Sequence, residues 1–346
     1  MRFVNDLIDR FCIGVSLLVA TFIVVSQAHA EAPYEIGGYY WPTPNPAFLQ
    51  GKGMDSIAQP TVSGKTSSAF FGCVRNNGTR FHEGLDIKPI IRDGKGESLD
   101  SIYSFADGVV RYVNSSANAS SYGRYVVVEH PQIAPGVVTL YAHLRSIDRK
   151  IREGVKVAGG TTIARMGRSA SYVIPKSRAH LHFEIAYWLG PEFQKWYDQQ
   201  PFSSKNDHGT FNGMNLVGFD TVSFWKALRS GEVGTLEEFI ASEPIAYVVE
   251  APFDDIPDLL QVNPQLMTND FLPTDLAGWR VEFTWYGVPV RWTALNEGEI
   301  SGKVLSVVES DERFSEHLRC FEMKRGGTFP GPGARLKSLI SRLFVN

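Results

Sequence analysis

The chain has 346 residues, 43% hydrophobic and 21% charged, which excludes both a disordered segment and a membrane-embedded bundle. Its 34 Lys+Arg against 37 Asp+Glu leave a net charge of −3, so it lacks the basic excess of a nucleic-acid binder. Three cysteines are too few for a disulfide scaffold or a Cys-based zinc finger. Any metal chemistry therefore rests on the eight histidines and on carboxylates.

Residues 11–25 are an uncharged apolar run, and Ala28-His29-Ala30 places small residues at the −3 and −1 positions before Glu31. That is the pattern of a secretory signal, here residues 1–30, and it predicts export to the periplasm or the cell exterior. The competing reading is an uncleaved anchor, which would hold the chain to a membrane. Export removes Cys12 and leaves Cys73 and Cys320 in an oxidising compartment, where a bridge and two separate buried thiols are equally open.

Residues 31–65, rich in Gly, Pro, Tyr and Ser, read as an extended lead-in. Between 66 and 190 the signal is strand and turn. The runs 109–113, 125–129, 137–144 and 181–188 are β-branched or aromatic, punctuated by Asp107-Gly108, Tyr122-Gly123, Pro135-Gly136 and Gly159-Gly160, which predicts antiparallel sheet. Residues 191–243 form a helical and polar extension, with helices at 192–199 and 222–228 joined by a polar stretch, 203–215. Residues 244–346 are a small α+β unit with strands near 246–250, 279–290 and 303–308. Its closing helix, 334–344, puts Leu336, Leu339, Ile340, Leu343 and Phe344 on one face. That face predicts core packing, although Arg335, Lys337 and Arg342 would permit a membrane-surface role. The predicted class is mainly β, with helices and a small α+β unit following.

Four histidines lie in three short contexts: Arg80-Phe81-His82-Glu83-Gly84-Leu85-Asp86, Thr139-Leu140-Tyr141-Ala142-His143-Leu144 and Ala179-His180-Leu181-His182-Phe183-Glu184. Residues two or four apart on a strand share a face. His180 and His182 then point one way, with Leu181, Phe183 and Ile185 buried behind them. His82 shares a face with Asp86 if the segment is extended, and His143 shares one with Tyr141 and Thr139. Two His and one carboxylate make a tridentate zinc site that leaves a fourth position open, and further His nearby are candidates for acid/base work.

In this order and spacing the chain resembles the lysostaphin/LytM-type zinc endopeptidases of peptidoglycan. The resemblance covers about residues 67–188. It rests on His82-x-x-x-Asp86, Phe105-Ala106-Asp107-Gly108-Val109-Val110, Tyr141-Ala142-His143-Leu144, Gly154-x-x-Val157-x-x-Gly160 and His180-Leu181-His182-Phe183-Glu184. It implies one Zn2+ per chain on His82, Asp86 and His182, catalytic roles for His143 and His180, and peptidoglycan peptide stems as partners. Segments 87–104 and 166–179 are longer than that pattern and are expected to wall the substrate groove.

Other residues rank lower. The helical H-E-x-x-H motif is a poor fit, since Gly84 and Pro89 oppose a helix; Glu83 is expected to be exposed and turned away from His82. His130 is expected to be structural. His208, beside Asp207, caps the groove or faces water, with water preferred. Tyr141 either positions substrate or packs. Trp279, Trp285, Tyr286 and Trp292 form a sugar platform or, as their alternation suggests, a strand with one core face. The function implied is a zinc endopeptidase cutting peptidoglycan crosslinks. The alternatives are a silent wall-binding or amidase-activating module, and a secreted zinc protease acting on Gly-rich proteins.

Overall fold

The computed structural model describes residues 33–311 and 334–345, within one compact unit spanning Glu31–Asn346. The signal segment, Cys12 and Cys320 lie outside the described residues; Cys73 is disulfide-bonded. Among the described residues no helix is long and apolar enough to cross a membrane.

The fold is mainly antiparallel β. Its largest sheet runs in the order Lys156–Val157, Gly108–Asn114, Tyr125–Glu129, Val137–Ala142, Leu181–Trp188 and Leu216–Gly218. The far edge of Leu181–Trp188 is shared. Leu85–Ile87 pairs with its first three residues and Leu216–Gly218 with its last three. Every residue of Val137–Ala142 is buried because both faces of the sheet are covered. On one face Tyr141, Phe183 and Ile185 join the main core; on the other, Tyr125, Val127, Leu140 and Ala142 pack beneath Tyr112, Trp188 and Phe211. The polar stretch 203–215 thus roofs part of the sheet, with Phe211 stacked on Trp188 at 5.5 Å.

The lead-in is more built than its composition suggests. Glu35–Ile36 pairs with Tyr39–Tyr40, and Tyr39 and Trp41 are core residues. Trp41 meets Trp225 edge-on at 5.5 Å, and the Tyr39 hydroxyl accepts from the Leu236 amide. Trp225 lies on the helix Thr221–Ser230, which Asp220 caps by accepting from the Val222 and Ser223 amides.

Two elements depart from expectation. The single strand expected over 279–290 is a hairpin, Leu276–Phe283 with Pro289–Asn296. Its turn needs Gly287 at φ +96, a left-handed conformation that glycine adopts without a Cβ clash. A further helix, Leu236–Ser242, follows Thr235, whose hydroxyl accepts from the Glu238 amide. The T-x-x-E spacing signals that start in the sequence. The helix Ala334–Leu343 buries Leu336, Leu339, Ile340 and Leu343, so its apolar stripe faces the core and not a membrane. Trp279, Tyr286 and Trp292 are likewise buried and cannot form a sugar platform.

Candidate metal centre and cleft

His82 ends the strand Arg80–His82, and Asp86 is central in Leu85–Ile87. Glu83 and Gly84 lie outside both strands, so the shared face of His82 and Asp86 comes from two short strands and not from one run. Gly84 is needed at that break, because a Cβ there would clash with the Phe183 carbonyl oxygen. His182 stands opposite Asp86 in register.

Three atoms converge. His82 Nε2 lies 3.0 Å from His182 Nδ1 and 3.1 Å from Asp86 Oδ1, and His182 Nδ1 lies 3.0 Å from Asp86 Oδ1. Tetrahedral zinc with bonds of ~2.0–2.1 Å needs donors about 3.3 Å apart, so this triangle has the right size and donor set. All three residues are buried, and together they could hold a metal ion. His82 is oriented by its Nδ1–H, which donates to the Phe70 carbonyl at 2.8 Å. The second oxygen of Asp86 accepts from Arg75 Nη2 at 2.5 Å, which leaves Oδ1 as the inward atom.

His180 and His143 flank the triangle. His180 Nδ1 donates to the Arg178 carbonyl, and its Nε2 is 3.7 Å from Asp86 Oδ1. His143 Nδ1 donates to the Ser169 carbonyl at 2.8 Å, and its ring centroid is 4.6 Å from that of His180. With each Nδ1–H spent on a carbonyl, Nε2 carries the lone pair in both.

His143 arrives by a route that alternation did not foresee. Tyr141 and Thr139 face the main core, and the Tyr141 hydroxyl accepts from the Phe105 amide at 2.7 Å. Tyr141 therefore packs, and it does not share the face of His143. The strand stops at Ala142, and His143 takes φ +59, which turns its ring to the opposite face, where His182 lies. A non-glycine residue in that region is strained, and such strain clusters at functional sites.

Burial alone would raise the Asp86 carboxyl, but His82 and His180 beside it and the bonds from His182 hold it well below the usual range. Burial and the neighbouring histidines push His143 well down, and burial lowers His180 against the pull of Asp86. For His182 burial opposes the charge, yet the bonds to Asp86 and Glu184 win and raise it to about 9.

The centre opens on a cleft of about 500 Å3 lined by Arg75, Arg80, Glu83, Ser120, Tyr122, His143, Tyr172, His182, His208 and, from the C-terminal helix, Ser338 and Arg342. Glu83 borders the cleft, and no helix carries it. His208 is buried rather than solvated, bonded to the Tyr112 hydroxyl at 2.9 Å. His130 is structural, with its ring nitrogens bonded to Asp107 O and Thr139 Oγ1. Of the two long segments, 166–179 contributes Tyr172 to the lining, while 87–104 packs behind it. A bidentate Arg168–Glu97 pair at 3.0 and 2.9 Å joins them. The residues that sequence reasoning missed are Arg75, Tyr122 and Glu184. Glu184 alone had a signal, since it shares the strand face of His182.

With this geometry in place, residues 80–195 match the family model described as Peptidase family M23. This stretch of the chain resembles peptidase family M23. The chain is similar to a zinc-containing peptidase from Vibrio cholerae, at 30% identity over 30% of this chain and 26% of that one, with a TM-score of 0.23. It is also similar to the catalytic domain, in a mutant form, of the prophage-encoded M23 protein EnpA from Enterococcus faecalis (21% identity, 38% and 88% covered, TM-score 0.27). A third likeness is to the catalytic domain of lysostaphin from Staphylococcus simulans (16% identity, 50% and 95% covered, TM-score 0.30). The match spans about a quarter of the length of the Vibrio cholerae peptidase. No curated protein matches the chain.

Proposed function

We propose that the chain is an exported zinc endopeptidase that hydrolyses peptide crosslinks of peptidoglycan. One observation carries this reading: His143 and His180, each with its Nδ1–H given to a backbone carbonyl, flank the His82, Asp86 and His182 triangle, and His143 and His182 line an open cleft. A silent binding module would have no need of five convergent side chains, one of them held in a strained backbone conformation.

His82, Asp86 and His182 would hold one zinc ion, which supplies Lewis acidity that polarises a scissile carbonyl and acidifies water. His143 and His180 do the proton work. Their depressed basicity keeps them neutral, so either can accept a proton from the attacking water at Nε2. The resulting imidazolium presents N–H to the developing oxyanion and then returns the proton to the departing amine. Arg80 and Arg342 in the lining suit the carboxylates of a peptide stem. The signal-like segment 1–30 supports export.

The test is mass analysis of muropeptides released from purified sacculi, beside metal analysis of the same preparation. The expected result is cut crosslinks and one zinc per chain, activity lost to chelator and restored by zinc. A protein that holds its zinc and leaves sacculi intact would overturn the substrate.

A further inference from the structure

We propose that Glu184, braced by Tyr122, is a positioning residue that decides which nitrogen of His182 meets the metal. The proposal rests on the zinc reading above and goes beyond it in naming what holds the third ligand.

His182 and Glu184 are two apart on the strand Leu181–Trp188 and project from the same face. The imidazole bridges two partners. Its Nδ1 lies 3.0 Å from both His82 Nε2 and Asp86 Oδ1, and its Nε2 lies 2.7 Å from Glu184 Oε1. An imidazole that ligates a metal keeps one N–H. Placed on Nε2, that hydrogen satisfies the Glu184 carboxylate and leaves the Nδ1 lone pair facing His82 and Asp86. Placed on Nδ1, it would set a lone pair against a buried carboxylate and put a hydrogen where a ligand electron pair is needed. Leaving so buried an acceptor without its donor is costly.

Glu184 is 1% exposed, and among the described residues no Lys or Arg pairs with it. Its remaining support is the Tyr122 hydroxyl, which donates to the same Oε1 at 2.6 Å, while the Tyr122 ring packs 5.5 Å from that of His182. Tyr122 is held from behind by the 209–215 loop. A Cβ on Gly213 would fall 2.5 Å from the Tyr122 hydroxyl oxygen, so only glycine leaves room for that hydroxyl. The hydroxyl, the carboxylate and the imidazole therefore form one line ending at the metal position, and partners of this kind typically tune metal affinity ~10–100-fold.

The experiment measures zinc affinity of the full-length protein by competition with a chromophoric chelator, together with the visible spectrum of the cobalt-substituted protein. Expected losses in affinity are ~100-fold for Glu184→Ala, ~10-fold for Glu184→Gln and a few-fold for Tyr122→Phe, with an altered cobalt spectrum in the two Glu184 variants. Near-UV circular dichroism checks that each variant is folded, and the shape-conserving Glu184→Gln carries the test if Glu184→Ala is not. Folded Glu184 variants that bind zinc as tightly as the parent, with an unchanged cobalt spectrum, overturn the proposal and leave the zinc reading intact. A parent protein without zinc affinity overturns both.

Discussion

Two antiparallel sheets in this molecule use the same pairing rules to different ends. In the C-terminal sheet, Pro289–Asn296, Leu276–Phe283, Tyr247–Pro252 and Ser306–Ser310 lie side by side, and alternation is clean along its second strand. Trp279, Val281 and Phe283 are buried, whereas Arg280 faces out. In the sheet that carries the metal centre the pattern fails at the places that matter. Leu85–Ile87 is split from Arg80–His82, and His143 leaves its strand with a left-handed φ. His182 and Glu184 occupy a face that is buried yet polar. An uninterrupted alternation describes a strand that only packs. A site is built where the alternation is broken, because buried polar groups must be aimed at one another to offset their desolvation.

Three substitutions sharpen that contrast. The largest effect is expected for His143→Ala, which should retain zinc and lose ~10²–10⁴-fold in rate, measured on muropeptide release with metal content determined alongside. Unfolding free energy should barely change. Trp292→Ala should do the reverse. Trp292 is fully buried and meets Trp279 edge-on at 6.1 Å, so truncation should cost about 3–5 kcal/mol in chemical denaturation while zinc affinity of the folded protein holds. A normal rate for His143→Ala, or a normal stability for Trp292→Ala, would dissolve the distinction between the two sheets.

The smallest effect concerns a buried acid outside the cleft. Burial alone would raise the Glu250 carboxyl, but bonds from the Ser301 amide and hydroxyl and from Arg280 hold it below its ordinary value. A depressed folded value means that the contribution is present at neutral pH and fades as acid protonates the group. The Arg280 side chain is 44% exposed, so its share is discounted for screening. Glu250→Gln should cost about 1 kcal/mol at pH 7. The gap from the parent should shrink as pH drops below about 4.3, the ordinary Glu value. A gap that stays constant through the acid range would show that the effect is steric.

The sequence by itself determined the strand periodicity and the run Leu181–Trp188 to the residue, and its resemblance to a known family singled out His82, Asp86 and His182. Those residues stand in two short motifs, His82-x-x-x-Asp86 and His180-x-His182, that are legible before the fold is known. Tertiary structure decided the rest of the site. The approach of His143 depends on one backbone angle, to which side-chain alternation is blind. Arg75 reaches Asp86 only because the strands Gly72–Arg75 and Arg80–His82 fold back on each other. Tyr122 and Glu184 meet across 62 positions, and Trp196 and Ser341 across 145, the latter docking the helix that brings Ser338 and Arg342 to the cleft. Patterning encodes which side of an element is apolar. Which polar group meets which, at separations this large, is settled only when the whole chain has packed and each buried donor must find its acceptor.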